Sequence, residues 1–240
     1  MRTLTLLMAL MLGLLTVPGE ENSSLAKKNG YVINLDRAEK LEKMTYSSLF
    51  SKAGIIVLED TDESLLGKVD KLEVCDNNLY VLEKGRGLFL FNKQGKFIKM
   101  IGRQGKGPGE YIDPDDISID RENKKIYVLD SQTQNVLKYS GNGTFESSFK
   151  LENKGTRSTF IQPFKNALYT NLYTFDKSGK RFLLSKVDVT NGKRISFQFE
   201  ASQYNKGWNE LFSTNQHTFI SAPTGNPKFM QIFMDTIFEI

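Results

Sequence analysis

Apolar and polar residues alternate along much of this chain, in short runs separated by turns. Val69-Asp-Lys-Leu-Glu-Val-Cys75 sets Val69, Leu72 and Val74 together as an apolar group, and Asp76-Asn77-Asn78 turns. Leu79-Tyr-Val-Leu-Glu83 is a second run, Lys84 to Arg86 turns again, and Gly87-Leu-Phe-Leu-Phe91 is a third. Asn92-Lys-Gln-Gly95 makes a hairpin turn before Lys96-Phe-Ile-Lys-Met-Ile101. Runs of this length, rich in β-branched and aromatic residues and bounded by Gly, Asn and Asp, predict strands.

The order then repeats. Asp116-Ile-Ser-Ile-Asp120 is a first strand, and Ile126-Tyr-Val-Leu-Asp130 matches Leu79-Tyr-Val-Leu-Glu83 47 positions later. Asn135 to Tyr139 and Thr144 to Phe149 complete the unit, with Gly143 48 positions after Gly95. A more divergent third unit runs from Ser158 through Ala167–Tyr173, Arg181–Val189 and Arg194–Phe199. A fourth begins at Thr218 and reaches Ile240. Four short strands at a period in the forties are the signature of a β-propeller. Each four-stranded meander has two apolar faces, and stacking around an axis buries both. The expected fold is all-β, a propeller of four-stranded antiparallel blades at about 69–101, 115–149, 157–199 and 216–240.

Ahead of the repeats, residues 1–19 read as a secretory signal. Arg2 is the positive start, Leu4 to Leu15 is apolar but too short for a comfortable membrane span, and cleavage is expected near Gly19. Residues 20–30 read as a flexible linker. Tyr31–Leu35 and Ile55–Glu59 read as strands, and Thr45 to Phe50 as one helical turn capped by Ser47 or Ser48. Cys75 is the only cysteine, so no internal disulfide forms and no cysteine follows the signal to carry a lipid; a small buried strand residue is expected there. Lys and Arg total 32 and Asp and Glu 28, interleaved without a run of five like charges. That pattern argues for a solvated surface and against a nucleic-acid footprint. The expected compartment is the periplasm or cell surface, with no transmembrane span in the mature chain.

The stretch from Met100 to Asp120 joins the first two units. It holds Gly102, Gly105, Gly107, Pro108 and Gly109. These glycines admit φ > 0 and the proline fixes one φ, so a shaped structural junction is expected, one that β-branched residues at Gly105 and Gly107 would disrupt. Ile101-Gly-Arg-Gln-Gly-Lys-Gly-Pro-Gly-Glu-Tyr111, with Pro114 and Ile117-Ser-Ile-Asp120, resembles the repeat junction of NHL-repeat propellers. With Ile33-Asn-Leu35, Ser48-Leu-Phe50, Val57-Leu-Glu59, Gly67 and Asp235-Thr-Ile-Phe238, the chain resembles a narrower group over residues 31 to 240. That group is the secreted "6-bladed beta-propeller" proteins of Gram-negative gut bacteria. The resemblance implies a ring of six blades, of which about three and a half are present here, as in a C-terminally truncated member. It also implies that a strand within residues 31–59 closes the ring.

Candidate chemistry is sparse. The glycine loop lacks the Gly-Lys-Ser/Thr ending of a phosphate cradle and opens no helix. His217 is the only histidine, so a multi-histidine metal site is excluded. Asp113, Asp115 and Asp116 offer oxygens of the type Ca²⁺ takes, but not at EF-hand spacing, and turn-forming and strand-capping roles are expected instead. No serine sits in Gly-x-Ser-x-Gly. No cofactor and no metal are therefore expected. The second-to-third strand turns and the blade junctions share one face of such a meander. That face is expected to carry Arg86, Arg103, Lys106, Glu110, Tyr111, Asp130 and Trp208 as ligand-binding residues. The expected function is an exported, non-catalytic binding or scaffold module engaging a peptide, glycan or protein partner. The alternative is a metal-dependent, lactonase-like propeller hydrolase or lyase with active residues partly in blades beyond these.

Overall fold

The computed structural model describes residues 43–152, 155–174, 180–204, 218–221, 225–231, 234 and 236–240. The signal segment, the strand expected at Tyr31–Leu35, Trp208 and His217 lie outside them. The chain divides into two units after Ile55. In the first, a single helical turn, α1 (Tyr46–Leu49), stands where the sequence places one. Thr45 flanks its start rather than Ser47 or Ser48, and the Thr45 carbonyl accepts from both the N–H (3.1 Å) and the Oγ (2.6 Å) of Ser48.

The second unit is an all-β propeller of four antiparallel sheets. The first sheet contains β1 (Lys71–Cys75), β2 (Asn78–Glu83), β3 (Gly87–Asn92) and β4 (Phe97–Ile101), in that order. A two-residue parallel pair, β5 (Arg103–Gln104) and β6 (Glu110–Tyr111), sits in the junction that follows. The second sheet contains β7 (Pro114–Asp120), β8 (Lys125–Asp130), β9 (Asn135–Ser140) and β10 (Phe145–Lys150). β11 (Thr156–Arg157) pairs with β14 (Tyr173–Thr174) beside the third sheet. That sheet is built from β12 (Ile161–Phe164), β13 (Ala167–Asn171), β15 (Phe182–Asp188) and β16 (Arg194–Glu200). A helical turn, α2 (Ala201–Tyr204), follows. The last sheet shows β17 (Phe219–Ile220), β18 (Lys228–Phe229) and β19 (Phe238–Glu239).

The period-two alternation distributes side chains between neighbouring sheets. From β2 and β3, Tyr80, Leu82, Leu88 and Leu90 point to one side and meet Ile117, Ile126, Val128 and Leu137 of the second sheet. From β8 and β9, Tyr127, Leu129 and Val136 point the other way and meet Ile161, Leu168 and Val187 of the third. Each such side chain fully buried contributes about 1.5–3 kcal/mol, which is why the sheets stack rather than stand alone.

Residues 56–68 hold no strand, so the Ile55–Glu59 strand expected from sequence is absent. Instead Leu58 and Leu66 pack on Leu79, Val81, Phe89 and Phe91, the face of the first sheet turned away from the second. The segment crosses the end of the β3–β4 hairpin, where the Glu59 N–H reaches the Gly95 carbonyl at 2.7 Å. One backbone bond at a hairpin tip anchors a crossing chain; it does not make a ladder.

Candidate functional site

The junction between the first two sheets is built by a type II turn and two tyrosines. Gly107-Pro108-Gly109-Glu110 closes with the Glu110 N–H on the Gly107 carbonyl at 3.0 Å. Pro108 presets the first central position, and Gly109 supplies φ +76° at the second, where the turn demands a positive value. Gly102 also stands at φ +68°, and a Cβ there would lie 2.6 Å from both Tyr111 and Tyr139. Gly105 and Gly107 are not at positive φ, contrary to expectation. They are small for another reason: a Cβ on Gly105 would meet the Glu110 carboxylate at 2.0 Å.

That carboxylate organises the loop. It accepts the Gly107 N–H at 2.8 Å and the Arg103 Nε at 2.6 Å. The Gly107 N–H first, and then Arg103, hold the Glu110 carboxyl below its usual range. Lys106, at the tip, is exposed and makes no ion pair among the described residues.

Two residues expected on a ligand-binding surface are structural. Tyr111 is 1% exposed. Its hydroxyl donates to the Ile101 carbonyl (3.0 Å) and accepts the Leu88 N–H (3.2 Å), and burial pushes the phenol's pKa up. Asp130 is 2% exposed, with its carboxylate accepting the N–H groups of Ile112 (2.7 Å) and Thr133 (3.1 Å). The same device recurs at the end of the second strand in the first and third sheets. Glu83 accepts the Gly67 N–H at 3.3 Å, and Asn171 accepts those of Thr159 and Phe160 at 2.9 and 2.8 Å. In each case a side-chain oxygen secures the segment leading into its own sheet's first strand. Arg86 is engaged too: it donates to Glu83 at 3.0 Å and to the Leu65 carbonyl, and lies 5.1 Å above the Phe89 ring.

The expected residues that do come together are Arg103, Lys106 and Glu110. Lys106 and Glu110 form one wall of a groove of about 740 Å³ that Asp130, Thr133, Asn135 and the outer strand β10 complete, while Arg103 holds Glu110 without lining the groove. Phe145, Ser147, Ser148 and Lys150 line the β10 side. The sequence reading did not select them. A signal was present, since Phe97-Ile-Lys-Met-Ile101 in the first unit is replaced by Phe145-Glu-Ser-Ser-Phe149 in the second, exchanging Lys99 and Met100 for serines.

The aspartates weighed for Ca²⁺ diverge into separate contacts. Asp113 accepts the Gly85 N–H at 3.2 Å, Asp115 bonds Ser131, and Asp116 takes Lys71 Nζ at 2.7 Å and the Ile161 N–H at 2.8 Å. Beside them Glu73 lies 3.8 Å from Lys71 and 3.6 Å from Arg121. Burial holds its carboxyl above the usual range, partly offset by Lys71. Among the described residues no three His, Cys, Asp or Glu side chains converge as a metal site, and no helix is long and apolar enough to cross a membrane.

Stacked four-stranded meanders whose first strands adjoin define a β-propeller protein. Within that class, the chain belongs to the family of the domain of unknown function DUF4934, whose model matches residues 30–240. No curated protein matches it. Among solved structures it is similar to a candidate exported protein of Bacteroides fragilis, with 23% identity and a TM-score of 0.60. That match covers 77% of this chain and 51% of the other, so the chain spans about half the length of that relative. A DUF4221-family member from Bacteroides vulgatus shows 11% identity and a TM-score of 0.45, covering 60% of this chain and 47% of that one. The glutaminyl cyclase of Myxococcus xanthus shows 12% identity and a TM-score of 0.45, covering 70% and 69%. At 23% identity the likeness to the Bacteroides fragilis protein is one of fold.

Proposed function

We propose that this chain is an exported, non-catalytic binding module that engages a peptide, glycan or protein partner through its blade-junction face. The observation that carries the reading is the groove between the glycine loop and β10. Its walls are held by internal hydrogen bonds, while Lys106 and Lys150 have no ion-pair partner among the described residues. Rigid walls with free polar groups are what recognition surfaces on loops require. We place the module within a six-bladed, NHL-like ring in the periplasm or on the cell surface. The N-terminal apolar stretch and the exported relative support that placement.

Thermal-shift screening of the full chain against arrayed peptides and glycans tests the reading. Stabilisation by at least one class, lost in Lys106→Glu, is expected. No shift from any class, or catalytic turnover of a bound compound, would overturn it. Fractionation of the native host tests the placement, and recovery in the cytoplasm would refute it.

A further inference from the structure

The first and third sheets share a clamp that the second lacks. In the first sheet, Glu59 gives its N–H to the Gly95 carbonyl (2.7 Å), and its carboxylate accepts the N–H of Phe97, the first residue of β4 (2.9 Å). In the third, Glu152 gives its N–H to the Gly192 carbonyl (3.2 Å), and its carboxylate accepts the N–H of Arg194, the first residue of β16 (3.3 Å). In both, the clamped N–H lies two residues past the hairpin glycine. The crossing chain is fixed independently by how closely each glycine is approached. A Cβ on Gly95 would strike the Val57 carbonyl, one on Gly192 the Lys150 carbonyl, and one on Gly143 the Ile101 side chain. Each clamping glutamate stands two residues after its crossing residue. The equivalent of Glu59 and Glu152 in the second sheet is therefore Arg103. A cation cannot accept an N–H, and Arg103 turns to Glu110 instead.

Phe145, two residues past Gly143, is thus left without the carboxylate that its counterparts receive. Its N–H points away from β9, because Phe145 sits opposite Tyr139 as Phe97 sits opposite Phe91. Just past β10, Leu151 donates to the Gln134 carbonyl at 2.9 Å, so the N–H groups of Ser148 and Lys150 also face outward by alternation. β10 ends its sheet, and this open edge borders the groove with Lys106 and Lys150 beside it. The anionic groups nearby are already committed, Glu110 to Arg103 and Gly107, and Asp130 to backbone N–H groups.

We infer that the β10 edge binds an extended acidic peptide by strand addition. One of its carboxylates takes the Phe145 N–H in the manner of Glu59 and Glu152. The peptide's backbone pairs with Ser148 and Lys150, and the two lysines supply complementary charge. The inference rests on the binding-module reading and commits it to one ligand class and one mode.

The test is fluorescence anisotropy with the full chain and a labelled octapeptide of alternating glutamate and valine. Controls are the same peptide with backbone N-methylation and a lysine–valine counterpart. Ser148→Pro removes one outward donor and leaves β9 pairing untouched, as edge strands allow. The double variant Arg103→Glu with Glu110→Gln supplies the missing internal carboxylate, which then occupies the Phe145 N–H. Saturable binding of the acidic peptide is expected, weakened about tenfold or more in both variants, at unchanged or higher melting temperature. Binding that survives N-methylation or either variant, or that favours the basic peptide, overturns strand addition. If the acidic peptide does not bind while an arrayed glycan or other peptide does, the inference fails and the binding-module reading stands.

Discussion

The interface between the first and second sheets and the one between the third and fourth are sealed in different ways. The first is aliphatic, and three tyrosines pin it with directional bonds across its parts. Tyr80 donates to Gly141 (2.8 Å), Tyr111 to Ile101 (3.0 Å) and Tyr139 to Gly109 (3.0 Å). The Lys71–Asp116 pair adds a buried ionic contact. The other interface is filled by rings. Phe199 stacks on Phe229 at 5.7 Å, lies 4.1 Å from Phe238 and meets Tyr204 edge-on at 5.7 Å. Phe199 also holds φ +58°, rare for a bulky residue, so local strain is tolerated where packing demands it. Hydrogen bonds admit one register, whereas rings slide. The first interface should therefore fail abruptly on substitution and the second by degrees.

The sharpest break is Lys71→Met. It leaves the fully buried Asp116 carboxyl without its cationic partner, and a loss of about 3–5 kcal/mol in urea unfolding is expected. A loss under about 1 kcal/mol would show that the pair does not pin the sheets. Tyr111→Phe comes next. It strips a partner from the Leu88 N–H and the Ile101 carbonyl together, for about 1–3 kcal/mol. Within the loop, Gly109→Ala should cost about 1–2 kcal/mol through its positive φ. Gly105→Ala, which meets only the movable Glu110 carboxylate, should melt closer to wild type. Equal effects would mean that backbone geometry is not what the junction conserves energy through.

Phe199→Leu should cost about 0.5–1.5 kcal/mol beyond its lost area, with broadened rather than abolished cooperativity in calorimetry. The smallest effect concerns Glu110→Gln. The folded pKa of Glu110 lies below 4.5, so its contribution is present above that pH and is lost as pH falls through the folded value. Melting curves of wild type and variant should differ slightly near neutrality and converge well below pH 4.5. A gap that widens in acid would contradict the assignment.

The strand order of the first two sheets was legible because Leu79-Tyr-Val-Leu-Glu83 and Ile126-Tyr-Val-Leu-Asp130 repeat so closely. The same likeness carried a warning about the site. Glu83 and Asp130 occupy one repeat position and do one structural task, so recurrence marks a component of the scaffold. The groove lies where the repeat is broken, at Ser147 and Ser148 and at Arg103 in the clamp position. Tyr111 misled because an aromatic in a glycine loop reads as exposed, while its burial depends on Leu88 and Tyr139, distant in sequence. Ile55–Glu59 has strand composition, and only the tertiary crossing at Gly95 decides that it forms no ladder.

Asp116 joins partners 45 residues upstream and 45 residues downstream through the two oxygens of one carboxylate. Repeat arrays ordinarily fold as chains of nearest-neighbour couplings, in which an end unit frays without disturbing the next but one. Here the first and third units share a single anion, so the loss of either leaves one of its oxygens without its protein partner. Unfolding of these three units is thereby coupled, and during synthesis Lys71 is available to pair the Asp116 charge while its second oxygen waits for the Ile161 N–H of the third unit.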